Sequence, residues 1–242
     1  MANKKQHQEQ CIISFASKGR EDYNKAQARC ARSLRAAGYQ DDLLFYSLDD
    51  PRKVDNDVIN GGLPNNCPSH AEVPYGFKPY LFKEAYDKGY RRIIWTDSTI
   101  VAARNPQPVF EEATKRGVVG FHNVGHNLKL WIGENAVKTT GIDLNENPYQ
   151  LMACVLAFDL NHPRGKRIFD KWLELSKDGL SFQNSSSLVP GFRAHRHDQA
   201  VLSALMWKEK VKLLPYGALV YEPHDETKEF GKDYYFVNKG IK

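Results

Sequence analysis

A chain of 242 residues that is 41% hydrophobic and 12% aromatic has enough apolar material for one large α/β domain or two small ones. Its net charge of +5 suits a phosphate-bearing ligand or an anionic acceptor but is too weak to argue for nucleic acid by itself. No apolar run approaches the ~20 residues of a membrane helix, the opening "MANKKQHQEQ" lacks a secretory apolar core, and Cys11, Cys30, Cys67 and Cys154 form no C-x-x-C pair, so the chain reads as cytoplasmic, with free thiols and no zinc knuckle.

Residues 1–10 read as a disordered lead-in, and residues 11–242 as a single domain. "CIISFAS" (11–17) is apolar and rich in isoleucine, which predicts a buried first strand. Tyr23, Ala26, Cys30, Leu34 and Ala37 then recur at helical spacing, and Gly38 ends that helix. "LLFYSL" (43–48) is a second strand, and strand–helix–strand in this length is a βαβ unit with a parallel pair. Residues 49–76 are rich in Pro and Gly and show no periodicity, which marks a functional or disordered loop. A helix over 78–88 feeds "RRIIWTDSTIV" (91–101), a core strand that turns polar at Asp97. Then come a short helix (108–116), strands "GVVGFH" (117–122) and "ACVLAFD" (153–159), and a helix (163–176) with Ile168, Trp172 and Leu175 on one face. "SFQNSSSLVPGFRAHRH" (181–197) is irregular, "DQAVLSALMWKEK" (198–210) is helical, and "LLPYGALVY" (213–221) is a last strand. The pattern predicts an α/β fold with a mostly parallel central sheet flanked by helices, whose ligands bind beyond the carboxyl ends of the strands.

Four places carry residues suited to chemistry. Asp97 closes a core strand, which is either a strand-end turn or the delivery of a carboxylate to a cation or diphosphate. Lys78 begins a helix and is either solvated or a phosphate contact; Pro79 fits the first turn of that helix. His195, Arg196, His197 and Asp198 cluster where another helix starts, and Asp198 reads equally as an N-cap or as a base for an incoming hydroxyl. His224 follows the last strand as a surface histidine or a metal ligand. No G-x-S-x-G, P-loop or G-x-G-x-x-G occurs, which argues against triad hydrolases and ordinary NTP or dinucleotide enzymes.

In order, "IISFAS", "FKPYLFKEAYDKGYRRIIWTDSTIV", "MACVLAFDLNHPRGKRIFDKWLEL" and "RHDQAVLSALM" resemble the GT-A glycosyltransferases, the Rossmann-like nucleotide-diphospho-sugar transferases, over about residues 11–225. The resemblance implies a hexosyl- or pentosyltransferase that moves a sugar from a nucleotide-diphosphate donor to a hydroxyl acceptor. The acceptor is a saccharide or glycan, with a modified nucleic-acid base as a further option. It places donor binding at Phe15, Ala16, Ser17, Tyr23, Lys78, Asp97, Ser98 and Thr99, makes Asp198 the catalytic carboxylate, and puts His197 and Gln199 on the acceptor side. Asp97 matches the first position of the family's D-x-D motif, but Thr99 stands where its second aspartate belongs. A divalent cation, Mn2+ or Mg2+, would then depend on Asp97 and His224. The alternatives are a degenerate domain that binds sugar or nucleotide without turnover, and a sugar nucleotidyltransferase; the single glycine of "FASKGRED" speaks against the latter.

Overall fold

Every residue of β1 (Gln10–Ala16) is buried, so its apolar run on both faces demands cover on both sides. The computed structural model describes residues 9–17, 21–48, 53–54, 57–221 and 234–241. α1 (Glu21–Ala36) leads to β2 (Asp42–Ser47), which pairs parallel with β1 as the βαβ pattern requires. β3 (Lys53–Val54) and β4 (Asp57–Gly61) extend that edge, and β4 is parallel to β2. α2 (Phe77–Asp87) precedes β5 (Arg92–Thr96), which pairs parallel with β1 on its other side. The chain continues through β6 (Ile100–Ala102), α3 (Gln107–Arg116), β7 (Val118–Asn127), α4 (Glu134–Thr140) and β8 (Tyr149–Asp159). α5 (Pro163–Asp178), α6 (His197–Lys208), β9 (Leu219–Tyr221) and β10 (Phe236–Asn238) complete it.

The large sheet has the order β3-β4-β2-β1-β5-β8-β7, and a small sheet has the order β6-β10-β9. β4, β2, β1 and β5 run parallel, β8 opposes β5, and β7 opposes β8. One face of the large sheet packs Leu81, Phe82, Phe158, Trp172 and Leu202 against α2, α5 and α6. The other packs Cys30, Leu34, Ile94, Phe110 and Val155 against α1 and α3. Phe158 anchors the first face, edge-on to Phe82 at 5.2 Å and stacked on Trp172 at 6.2 Å. Burying side chains of this size stabilises by about 1.5–3 kcal/mol each.

Several expectations need correction. β8 begins four residues earlier than expected, and it runs antiparallel to β5, a direction that an 11-residue apolar strand does not disclose. Two strands lie inside the stretch expected to be without structure, since "DVING" lacks the alternation that marks a strand. α4 is a seven-residue helix, ENAVKTT, too short to show a helical repeat in the sequence. The expected strand over 213–221 is instead a bridge at Leu214, a 3-10 turn over Tyr216–Ala218 and the short β9. None of the four cysteines forms a disulfide among the described residues, and no described helix is long and apolar enough to cross a membrane. His224 and most of the lead-in lie outside the described residues.

Candidate functional site

β5 carries Ile93, Ile94, Trp95 and Thr96 fully into the core and then stops. Asp97 closes a tight turn in which its carbonyl accepts from Ile100 N–H (3.1 Å), while its own N–H donates to the Cys154 carbonyl on β8 (2.8 Å). The turn and functional readings of Asp97 are therefore compatible, because the backbone makes the turn and the side chain stays available. Trp95 Nε1 donates to Asp97 Oδ1 (2.8 Å), which fixes the carboxylate at the strand end with over a third of its surface still exposed. Ser98 is buried, and Thr99, half-buried, accepts Lys239 N–H at its carbonyl (3.1 Å).

Lys78 is not a solvated helix-start lysine. It is 3% exposed, in the first turn of α2, and its ammonium reaches three acceptors. They are Asp198 Oδ2 at 2.9 Å, Asp97 Oδ1 at 3.4 Å and the Ala153 carbonyl at 2.9 Å. The rings of Trp95 and Tyr75 lie 5.3 and 5.6 Å from the same nitrogen, close enough to add cation–π attraction. Burial alone would lower the Lys78 pKa, but the charges of Asp198 and Asp97 reverse this and hold it above the ordinary lysine value.

Asp198 does not cap α6. Arg196 occupies the cap position without a side-chain bond, and Asp198 lies inside the first turn, buried and ion-paired. Desolvation pushes its pKa up, and the Lys78 ammonium opposes that rise. Its neighbour Gln199 is half-buried on the same cavity wall. The preceding irregular segment is tied down by long-range bonds. His195 Nδ1 accepts Gly133 N–H (3.1 Å), which leaves Nε2 to donate to the Ser181 carbonyl (2.9 Å). Both nitrogens are thereby used, so His195 is not a metal ligand; burial, with His197 nearby, pushes its pKa down to about 4. His197 donates from Nδ1 to the Phe182 carbonyl (2.7 Å) and lies 5.7 Å from the Tyr75 ring. Tyr75 (φ 59°) and His197 (φ 44°) both hold left-handed backbone conformations that side chains disfavour, which concentrates strain at this wall.

These groups meet around a cavity of about 470 Å³. Of the residues expected from sequence, Lys78, Asp97, His197, Asp198 and Gln199 line it, joined by Tyr75, Trp131 and Arg196. Phe15 and Ala16 end β1 beside it, Ser17 is exposed, and Tyr23 is half-buried on α1. Phe15 connects to the cavity through Phe77, whose ring lies 4.7 Å from Phe15 and 6.0 Å from both Trp95 and Tyr75. Sequence reasoning missed Tyr75, Trp95 and Trp131. An aromatic before Gly76 and one two residues ahead of Asp97 were visible, but nothing in their spacing ties them to a lysine. For a divalent cation the described donors fall short: no three His, Cys, Asp or Glu side chains converge among the described residues. Thr99 offers only a hydroxyl.

No protein-family model matches the sequence, and the search of curated proteins returns no match. Solved structures do match in fold. The chain superposes on the apo structure of WbbM, a bifunctional glycosyltransferase, with a TM-score of 0.56 and 12% identity over 95% of this chain, spanning 45% of that protein. It superposes on the galactosyltransferase LgtC in complex with donor and acceptor sugar analogs with a TM-score of 0.54 and 14% identity, covering 94% of this chain and 86% of that one. At such identities the likeness establishes the architecture, a mixed α/β fold of the GT-A glycosyltransferase type.

Proposed function

We propose that the chain is a glycosyltransferase that moves a sugar from a nucleotide-diphosphate donor to a hydroxyl acceptor. The observation that carries this is Lys78, buried between Asp97 and Asp198 at the carboxyl edge of the sheet and open to the cavity. Lysines are almost never fully buried unless paired, and a perturbed titrating group with a specific charge partner in a cleft points to chemistry. The GT-A-type fold, shared with two glycosyltransferases, narrows that chemistry.

In this reaction the bond from the anomeric carbon to the diphosphate oxygen breaks, a bond to the acceptor oxygen forms, and the acceptor hydroxyl gives its proton to a base, either Asp198 or the departing diphosphate. The transition state is oxocarbenium-like, so a negative charge held in a dry wall beside the sugar stabilises it. Asp198 supplies that charge, and Lys78 keeps it ionised where burial alone would favour the protonated acid. Asp97, half-exposed and aimed by Trp95, faces the donor side. Ser17 lies just past the carboxyl end of β1, where such folds hold a nucleotide. A bound divalent cation would neutralise diphosphate charge, with Asp97 as its described carboxylate. Among the described residues no group of three His, Cys, Asp or Glu side chains forms around it.

The test is thermal unfolding against a panel of nucleoside diphosphates and nucleotide sugars, each with manganese and with EDTA. One nucleotide should stabilise the fold by a few kcal/mol when well above its Kd, and Asp97→Ala should abolish that shift. Loss of the shift in EDTA would make the cation part of the site. Binding without sugar transfer or donor hydrolysis would favour the degenerate binding domain, and no binding would sink both readings.

A further inference from the structure

Two guanidinium groups and an imidazole crowd the indole of Trp131, which lines the cavity. The centre of the Trp131 ring lies 4.6 Å from the Arg196 guanidinium and 5.6 Å from that of Arg193, and the His126 ring meets it edge-on at 5.1 Å. Both arginines are exposed, and neither makes an ion pair among the described residues. Nδ1 of His126 is covered and has no hydrogen-bond partner. Burial, then the charges of Arg196 and Arg193, pushes the His126 pKa down, so the two positive charges act on one small volume.

The arrangement is held in place. Arg193 N–H donates to the Leu130 carbonyl (2.9 Å) and Arg196 N–H to the Trp131 carbonyl (3.0 Å), so both backbones are fixed beside the indole. Stacking on tryptophan also orients a guanidinium, worth about 0.5–1 kcal/mol at an exposed site. Gathering like charges without a counterion costs free energy, and an oriented pair of guanidinium groups matches phosphate or carboxylate geometry. Trp131 and Arg196 line the same cavity as Asp97 and Asp198. Trp131 follows β7, and the order β1-β5-β8-β7 puts that strand on the far side of β5 from β1, at whose end the donor nucleotide is proposed to bind.

We infer that Arg193, Arg196 and Trp131 form an anion-binding subsite for the acceptor, and that the acceptor is an anionic saccharide carrying a phosphate or carboxylate near the reacting hydroxyl. This rests on the glycosyl-transfer reading, which supplies the donor side from which the subsite is distinguished. A single charged group fits better than a polyanion. The groove of about 1010 Å³ shares no lining residue with this cavity, and its Lys208, Lys210 and Lys212 stand beside Asp143 and Glu146, so it does not extend the two arginines into a continuous basic track.

The experiment is calorimetric titration of the full chain with glucose 6-phosphate, glucuronate and glucose, alone and with each nucleoside diphosphate at saturation. At least one anionic probe should bind about tenfold or more tightly than glucose, and Arg193→Gln and Arg196→Gln should each remove about tenfold of that preference. Which of the two anions is favoured identifies the charged group. Nucleoside diphosphate affinity should stay within about twofold in both variants, since those arginines do not hold the donor. Equal binding of all three probes to the wild type would overturn the subsite. Weakened nucleoside diphosphate binding in the variants would reassign the arginines to the donor phosphates. Single-stranded oligonucleotide binding that tightens with length and is lost in the variants would replace the saccharide with a polyanion. If no nucleoside diphosphate binds while the anionic probes do, the transfer reading fails and the anion site stands on its own.

Discussion

The end of β5 and the start of α6 each present an aspartate to the same ammonium, and the two carboxylates live in different media. Asp97 has 37% of its side chain exposed and lies 3.4 Å from Lys78; Asp198 has 5% exposed and lies at 2.9 Å. Water reaches Asp97 and screens its pairing with Lys78. Asp198 has lost water, and its charge depends on the lysine. The difference separates the two parts of the site: a carboxylate with spare capacity for a ligand, and one whose charge is built into the wall.

The largest effect should follow from removing the shared cation. Lys78→Met leaves Asp198 buried without its partner, and breaking a buried pair in this way costs about 3–5 kcal/mol. The double variant Lys78→Met/Asp198→Asn should recover a substantial part of that loss, because the uncompensated charge is gone. Urea unfolding of the four members of the cycle measures this. A cost below about 1 kcal/mol for Lys78→Met would equate the pair with a surface ion pair and dissolve the contrast between the two aspartates.

Next in size is the chemical effect at Asp198. Asp198→Asn preserves shape but removes the charge, and turnover should fall by about 10²–10³ while nucleotide affinity changes little. Product formation and binding measured on the same preparation decide it. A variant that binds poorly and turns over normally when saturated would move Asp198 from the chemistry to donor binding.

A smaller effect tests the wall itself. His195 is held neutral, with its pKa near 4 in the fold against an ordinary value of 6.5. Its folded pKa is depressed, so its contribution to stability is full above pH 6.5 and is lost as pH falls towards 4, where the unfolded chain takes up the proton first. His195→Gln retains a donor and an acceptor but does not titrate in that range. The wild type should therefore lose more stability than the variant between pH 6.5 and 4, and parallel pH profiles of the two proteins would refute this. The substitution itself should cost about 1–3 kcal/mol at neutral pH if either bond to Gly133 or Ser181 is lost.

The two ends also differ in how far the sequence exposes them. "IIWTD" shows a buried strand stopping at a carboxylate, and the βαβ pattern places that stop at the ligand edge, so Asp97 is legible from local composition. Lys78 is legible as a position, whereas its burial is not, because that depends on Ala153 and Asp198, residues 75 and 120 places away. Residues 181–197 read as a loose loop because the bonds that anchor them to the fold come from distant residues: Glu134 N–H to the Ser186 carbonyl, Asn135 N–H to Ser185 Oγ, and Gly133 N–H to His195. The same limit hides the direction of β8, since pairing partners decide it and the strand's own residues do not. Local periodicity thus recovers the layers of the fold, and the wall of the site emerges only when chain segments far apart in sequence meet.

The smallest expected effect is the sharpest check on the contrast. Asp97→Asn should change stability by less than about 1 kcal/mol, because its carboxylate is partly solvated and its ion pair is long. Trp95 Nε1 can still donate to an asparagine oxygen, so the side chain keeps its aim and loses only its charge. If Asp97 serves a ligand, the same substitution should shift nucleoside diphosphate affinity in the presence of manganese, and shift it far less in EDTA. Unfolding curves and titrations on one variant thus read the structural and ligand roles separately. A large loss of stability with unchanged affinity would make the end of β5 part of the wall, like the start of α6. The ligand-facing carboxylate would then have to be sought elsewhere along the edge of the sheet.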